Sequence, residues 1–164
     1  MPNKFSQTEI DAVDLRLLEL LQQDAGESNL ALAGRAHVSP ATCLRRVKRL
    51  IDSGVIERRV ALLAADRLGP SLTAIVEVSL DHQGDEYQQQ FEARAAADTA
   101  VQQCYRVAPG PDFVLVVQVA DMPGYQALVQ RLFTADANVR NVKAFFSMHR
   151  AKFDPAFRLE RPLG

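Results

Sequence analysis

Apolar residues recur at helical spacing in three consecutive stretches at the start of the chain, and short polar segments separate these stretches. The predicted helices span residues 8–23, 30–36 and about 40–52. Ser28 or Asn29 is placed to cap the second helix. Ser39 and Pro40 are placed as the N-cap and the first residue of the third helix, where the missing N–H of proline has no cost.

The rest of the chain alternates apolar and polar residues as strands do, with two helical patterns between. The predicted strands span residues 72–80, 101–107, 113–119 and 139–149, and the predicted helices span residues 84–97 and 122–134. Pro109-Gly110-Pro111 predicts a hairpin between the second and third strands. Ahead of this region, residues 55–63 predict a short strand or wing. The order β-α-β-β-α-β is the ferredoxin-like arrangement, so the predicted fold class is α+β.

The composition excludes several classes of protein. The 164 residues are 48% hydrophobic and 24% charged, which is typical of globular proteins and argues against disorder, a collagen-like repeat or a disulfide scaffold. The apolar runs are too short to span a bilayer, and the first residues lack the apolar core of a signal peptide. We therefore expect a cytoplasmic protein with no membrane partner. Cys43 and Cys104 form no metal-type pair.

Positive charge is concentrated in one part of the chain. The segment from Arg35 to Arg59 carries seven basic and two acidic residues, whereas the whole chain has a net charge of −1. A single basic patch on a nearly neutral protein indicates local contact with a polyanion such as DNA. The alternative interpretation is a solvated helix face without a partner.

The third helix resembles the recognition helix of a helix-turn-helix, because a three-residue turn joins it to a short helix and its surface is basic. Its predicted buried stripe consists of Leu44, Val47, Leu50 and Ile51. Arginine on the free face can bind guanine O6 and N7 with two hydrogen bonds. The predicted DNA-binding residues are Ser39, Ala41, Thr42, Arg45, Arg46, Lys48, Arg49, Arg58 and Arg59.

The second half carries no recognisable catalytic constellation. The histidines are dispersed, no serine or cysteine sits in a nucleophile motif, and no phosphate-binding glycine loop is present. We therefore predict no catalytic residue, no metal site, no cofactor and no enzymatic activity. Asp112 lies between a turn and a strand, where it can orient an ammonium group or cap backbone N–H groups. Phe145 and Phe146 point to opposite faces of the last strand, so one ring needs cover from a partner or ligand.

Taken together, these segments resemble the Lrp/AsnC family, the leucine-responsive "feast/famine" regulators. The match runs through IDAVDLRLLELLQQD, SNLALAGRA, VSPATCLRRVKRLIDSGVI, VEVSL, QCYRV and PDFVLVVQVADMPGY. The resemblance implies a winged helix-turn-helix over residues 1–61, a linker over residues 62–70 and an amino-acid-sensing βαββαβ domain over residues 71–164. It also implies dimers formed through the sheets, which assemble into tetramers or octamers and bind effectors between dimers.

The resemblance also implies where an effector would bind. The implied pocket residues are Ala108, Pro109, Gly110, Pro111, Asp112, Met122, Phe145, Phe146 and Ser147. Three features depart from the family. His37 occupies a turn position where glycine is common, two prolines remove N–H donors from the loop commonly written Gly-Asp-x-Asp, and bulky rings occupy the last strand. The loss of donors weakens the expectation that this loop captures a carboxylate.

These inferences predict a sequence-specific, nucleoid-associated regulator that binds double-stranded DNA as a homo-oligomer. Its oligomeric state or DNA affinity would respond to a small amino acid. Because no acid or base in the implied side-chain wall selects a charged effector, we expect an apolar or aromatic amino acid. The alternative is an architectural nucleoid protein of the same fold that needs no effector.

Overall fold

The computed structural model describes residues 9–159, which form two compact units. The first unit contains residues 9–62 together with residues 152–159, and the second contains residues 63–151. The return of residues 152–159 to the first unit is not indicated by their position in the chain. No helix in the described part of the chain is long and apolar enough to cross a membrane.

The first unit is built on three short helices. They are α1 (Ala12–Gln23), α2 (Asn29–Ala36) and α3 (Pro40–Asp52). The sequence predicted α1 from residue 8, which lies outside the described residues. Residues 9–11 are not helical, because the Asp11 side chain accepts hydrogen bonds from the N–H groups of Val13 and Asp14 and thereby caps the helix. Ser28 and Ser39 cap α2 and α3.

The residues of α3 that are buried between these helices differ from the predicted stripe. Cys43, Val47 and Leu50 are buried, whereas Leu44 and Ile51 are 61% and 43% exposed. Cysteine behaves as a small apolar residue and occupies a core position, and Leu44 and Ile51 lie on a flank of the helix. The other buried core residues of this unit are Leu17, Leu32, Ala33 and Ala36.

The predicted strand or wing at residues 55–63 does not form a strand in this structure. The N–H of Ile56 donates to the carbonyl of Leu50, and the chain beyond it runs without strand pairing. Next to it, the side-chain amide of Gln22 both donates to the carbonyl and accepts from the N–H of Phe157, at 3.1 and 3.0 Å. This reciprocal pair fixes residues 152–159 to the first unit.

The second unit is a four-stranded antiparallel sheet with helices on one face. The strands are β1 (Leu72–Leu80), β2 (Val101–Arg106), β3 (Phe113–Val119) and β4 (Val139–Phe146), in the spatial order β2-β3-β1-β4. The helices are α4 (Asp85–Ala97) and α5 (Met122–Leu128), and α5 continues as a π-helix (Val129–Thr134). The α+β prediction is confirmed. The last strand ends three residues earlier than predicted.

Alternation along the strands gives this sheet two different faces. Phe91, Phe113 and Leu128 are among the fully buried core residues on the helical side. On the other side Phe145 lies opposite Ile75 in the register of β4 and β1, and both side chains are 45% exposed. Four antiparallel strands with one helix-covered face thus leave an apolar row on the open face.

Candidate nucleic-acid interface and effector site

The turn before α3 sets the direction in which the helix leaves. His37 ends α2 in the left-handed conformation, with φ 57° and ψ 44°, and its N–H donates to the last carbonyls of that helix. Ser39 then caps α3 by accepting from the N–H of Thr42, and its hydroxyl donates to the Thr42 hydroxyl at 2.9 Å. His37 therefore adopts a left-handed conformation, which favours glycine at this position.

Burial of Cys43, Val47 and Leu50 determines which residues of α3 face outward. The opposite side, at spacings of four and three residues, carries Ala41, Arg45, Lys48 and Asp52, all of them exposed. Arg45 and Lys48 make no ion pair with any described residue. We call these four residues the outer stripe of α3.

Two arginines of α3 that the sequence predicts to contact DNA form ion pairs within the protein. Arg46 Nη1 lies 2.9 Å from Asp14 Oδ1 and 2.6 Å from Asp11 Oδ2, and Arg49 Nη2 lies 2.5 Å from Asp14 Oδ2. The Arg46 side chain is 21% exposed and that of Arg49 is 46% exposed. Arg46 is therefore largely occupied, whereas Arg49 keeps free donors. The sequence predicted that Arg46 and Arg49 lie on a face of α3 that is free to contact DNA. In the structure both side chains bind carboxylates of α1 or of its cap.

Sequence reasoning missed Asp14 as a functional candidate. The signal was present, because Asp14 lies among the apolar residues of the α1 stripe and three positions after a capping aspartate. It completes a capping box, with Asp14 Oδ2 accepting from the Asp11 N–H at 3.1 Å. Hydrogen bonds from the Asp14 N–H and from Arg46 lower the pKa of Asp11 from 3.8 to about 2.

Other basic residues of the charged segment differ in availability. Arg58 and Arg59 are exposed on the segment after α3 and make no ion pair among the described residues. Arg35, by contrast, contacts Glu27 at 2.5 Å and Gln23 at 3.0 Å. Within the segment from Arg35 to Arg59, the available basic groups are thus Arg45 and Lys48 of the outer stripe, the exposed part of Arg49, and Arg58 and Arg59.

Cys43 adds no chemistry to this surface. Its side chain is fully buried, and burial raises the pKa of the thiol. A buried thiol with a raised pKa is a poor nucleophile. Within the described residues, no group of three or more histidine, cysteine, aspartate or glutamate side chains is arranged to hold a metal ion.

In the second unit, Asp112 holds backbone together. Its side chain is buried, and Oδ2 accepts from the N–H of Leu80 at 2.7 Å. Its own N–H donates to Val78, and its carbonyl accepts from the N–H of Val107. Of the two roles the sequence left open for Asp112, this geometry matches the capping of backbone N–H groups. Gly110 in the same loop has a φ of 125°, a backbone conformation that residues with a side chain rarely adopt.

The implied effector residues do not come together within one chain. The loop from Ala108 to Asp112 adjoins the Val78–Leu80 end of β1, whereas Phe146 lies opposite Ala74 and the N–H of Ser147 donates to Thr73. Val78 and Ala74 are four positions apart along β1, so the distance between them is about 13 Å. The resemblance places the effector pocket between dimers, so a pocket that contains both groups stays a prediction.

One end of the sheet does form an apolar cluster. The Phe146 ring meets Tyr125 edge-on, with centroids 5.0 Å apart. Met122 begins the same helix and is exposed. On the open face, Lys143 Nζ lies 4.8 Å from the centroid of the Phe145 ring. The two rings point to opposite faces of β4, as predicted, and both remain partly exposed.

Comparison with known proteins gives matches over both units. A family model described as the Lrp/AsnC ligand binding domain matches residues 73–157, and one described as winged helix-turn-helix DNA-binding matches residues 10–57. The leucine-responsive regulatory protein of Rhizobium meliloti is 36% identical over 144 residues, covering 88% of this chain and 92% of that protein.

Two further proteins extend the comparison to an activator and to a liganded structure. The DNA-binding transcriptional activator DecR of Escherichia coli is 33% identical over 151 residues, covering 92% of this chain and 99% of its own. A solved transcriptional regulator of Neisseria meningitidis in complex with L-Met superposes with a TM-score of 0.81 at 25% identity, covering 90% of this chain and 96% of that one.

Proposed function

The chain belongs to the Lrp/AsnC family of transcriptional regulators, and from that premise we propose that it is a homo-oligomeric regulator that binds specific DNA sequences and responds to a small amino acid. Its matches to a DNA-binding and a ligand-binding domain make it a regulator and not an enzyme. The effector, the assembly and the contact residues below are proposals. Its place of action would be the nucleoid, in the cytoplasm.

The outer stripe of α3 carries this proposal. It presents Arg45 and Lys48, which have no ion-pair partner within residues 9–159, beside Ala41, whose small side chain permits close approach. A recognition helix with these properties can enter the major groove and read base edges. We assign base contacts to Arg45, Lys48 and Thr42.

Residues around the stripe would contact the sugar-phosphate backbone. Arg58 and Arg59 are exposed and lie after the helix, and Arg49 keeps free guanidinium donors. Ser39 at the start of α3 presents a hydroxyl next to the first helical N–H groups. Contacts of this kind fix the register on DNA and make affinity depend on salt. We leave Arg46 out of the DNA contacts because two carboxylates hold it.

We propose that the open face of the sheet mediates self-association. Phe145 and Ile75 form an exposed apolar row there, and Glu77 lies opposite Lys143 in the next pair along the same face. Apolar residues side by side on a strand surface favour a partner that removes them from water. We propose that this partner is a second copy of the chain, which presents the same surface, so that the two copies pair symmetrically as in an isologous dimer. Tetramers or octamers would then arise from further contacts between dimers.

The effector site is proposed to form between chains. The loop from Ala108 to Asp112 and the cluster of Met122, Phe146 and Ser147 lie at opposite ends of one sheet, so a pocket containing both needs a second copy. An apolar cluster favours an apolar or aromatic amino acid over a charged one. The Neisseria relative bound to L-Met supports an effector of this type.

A second candidate function is an architectural DNA-binding protein without an effector. The loop geometry favours it, because Pro109 and Pro111 have no N–H and Asp112 Oδ2 already accepts from Leu80. An amino-acid carboxylate or ammonium group then finds fewer partners in this loop. Thermal unfolding with each of the twenty amino acids at millimolar concentration separates the candidates, since a ligand of the native state raises Tm.

Selection of DNA from a pool of random duplexes tests the main proposal. We expect the wild-type protein to enrich a two-fold symmetric sequence, because a symmetric dimer presents two recognition helices to two half-sites. Arg45→Ala should lower affinity for that sequence by about 1–3 kcal/mol and relax the base preference. Arg58→Ala should weaken binding to every duplex. A pool that stays random would refute sequence-specific binding.

A further inference from the structure

Asp14 is the only fully buried acidic side chain of the first unit among the described residues. It lies on α1, outside the proposed DNA contacts. Its two carboxylate oxygens contact different arginines of α3: Oδ1 is 2.9 Å from Arg46 and Oδ2 is 2.5 Å from Arg49. A buried charge that binds two side chains of the recognition helix calls for an explanation in terms of that helix.

The two ion pairs fix the rotation of α3 about its own axis. Arg46 and Arg49 are three residues apart and leave the helix on neighbouring directions, so tying both to one carboxylate defines a single angle. Successive residues differ by about 100° around a helix with 3.6 residues per turn. A rotation by one position would place Leu44, which is already exposed on a flank of the helix, in the direction in which Arg45 now points.

The cluster is poorly suited to stability alone. Burying a carboxylate removes it from water, and buried ion pairs often stabilise a protein no better than apolar residues of the same volume. Arg46 Nε is also buried without a hydrogen-bond partner among the described residues, which is itself unfavourable. Conformational specificity explains such a cluster better than free energy of folding does.

We propose that Asp14 is a positioning residue for DNA sequence readout: it holds Arg46 and Arg49 so that the outer stripe of α3 faces the bases. The inference rests on the proposed function and adds a residue that does not touch DNA. Arg49, which is 46% exposed, can contact a phosphate while it stays bound to Asp14. Asp14 therefore acts on specificity through Arg46 and Arg49.

The test compares Asp14→Asn with Glu19→Gln, which removes the same charge from an exposed position on α1. Affinity is measured by fluorescence anisotropy for the duplex enriched by wild-type protein and for a scrambled duplex of the same composition. Losing one negative charge should leave binding to the scrambled duplex equal or tighter in both variants. We expect only Asp14→Asn to lower the ratio of affinity for the enriched duplex to affinity for the scrambled duplex. The expected decrease is roughly tenfold, which corresponds to the loss of one base contact.

A second variant keeps the proposal testable if Asp14→Asn does not fold. Arg46→Lys preserves the charge and leaves Arg49 on Asp14. The single atom Arg46 Nη1 contacts both Asp11 and Asp14, and a lysine Nζ lies one bond nearer the backbone, so lysine should not reproduce both contacts. Its affinity ratio should fall in the same direction.

The outcomes separate three explanations. A purely structural role would reduce the active fraction and lower both affinities equally, so an unchanged ratio in the folded variants overturns the proposal. A ratio that falls equally in Glu19→Gln also overturns it. If the wild-type protein itself does not distinguish the enriched duplex from the scrambled one, the proposed function fails, whatever Asp14 does.

Discussion

At the scale of single residues, polar side chains in this protein are committed to backbone and to each other more than their sequence positions indicate. Asp112 binds Leu80, Asp11 caps α1, and Arg46 joins Asp11 and Asp14. Asp11 caps residues two and three positions ahead of it, whereas the partners of Asp112 and Arg46 lie far away in sequence. Charge patterning alone cannot distinguish an arginine that faces DNA from one that faces a carboxylate.

Asp112 gives a prediction at this scale. Asp112→Ala leaves the N–H of Leu80 without its acceptor and should destabilise the protein by about 1–3 kcal/mol. Asp112→Asn keeps an acceptor oxygen and should recover most of that loss. Urea unfolding of the three proteins measures the difference. Equal stability of Asp112→Ala and wild type would contradict the capping role and return Asp112 to the effector hypothesis.

Asp11 gives a pH-dependent prediction. Its pKa is lowered to about 2 in the folded protein, chiefly by the hydrogen bond from the Asp14 N–H and by Arg46. A lowered pKa contributes stability above the unfolded value near 3.8, and this contribution is lost as pH falls towards 2.

The comparison is between wild type and Asp11→Asn, which retains a good N-cap but no charge. The wild-type advantage in Tm should be constant at pH 6–7, shrink at pH 3 and disappear near pH 2. An advantage that grows as pH falls from 6 to 3 would have the wrong sign.

At the scale of elements, the sequence predicted most of the structure. Periodicity placed the five α-helices and four strands found within residues 9–159, because apolar residues recur in each at the spacing of its element. It failed in two places. The buried stripe of α3 contains Cys43 in place of Leu44 and Ile51, and the apolar residues after α3 did not pair as a strand.

His37 gives the element-scale prediction. Side chains cost about 1–2 kcal/mol in the left-handed conformation that His37 adopts at the end of α2, and glycine avoids this cost. His37→Gly should therefore raise stability by about 1 kcal/mol or less, since glycine also loses more entropy on folding. His37→Ala is the matched control, because it keeps the β-carbon and should give no gain. A lower Tm for His37→Gly would mean that the histidine side chain itself stabilises the turn.

At the scale of the whole molecule, the candidate sites are incomplete in one chain. The implied effector residues lie at opposite ends of a sheet, and the open sheet face exposes an apolar row. Sequence patterns describe one chain, so they predict the elements that carry these residues but not the assembly that would unite them. Residues 152–159, which return to the first unit, likewise follow from contacts distant in sequence.

Self-association through the sheet gives the prediction at this scale. Phe145→Asp places a charge in the exposed apolar row and should reduce the assembly towards the 18.1 kDa monomer. Leu68→Asp changes an equally apolar and more exposed residue outside the sheet, and it should leave the assembly intact. Light scattering coupled to gel filtration measures both masses. An unchanged mass for a folded Phe145→Asp protein would place the interface elsewhere.

The central claim is that the outer stripe of α3 reads DNA sequence. The most direct measurement is the affinity of wild-type protein and Arg45→Ala for the enriched duplex and a scrambled one at physiological salt. We predict that wild type binds the enriched duplex at least roughly 10³-fold more tightly than the scrambled one, and that Arg45→Ala reduces this preference. Equal affinity of wild type for both duplexes, or a preference unaffected by Arg45→Ala, would contradict the account.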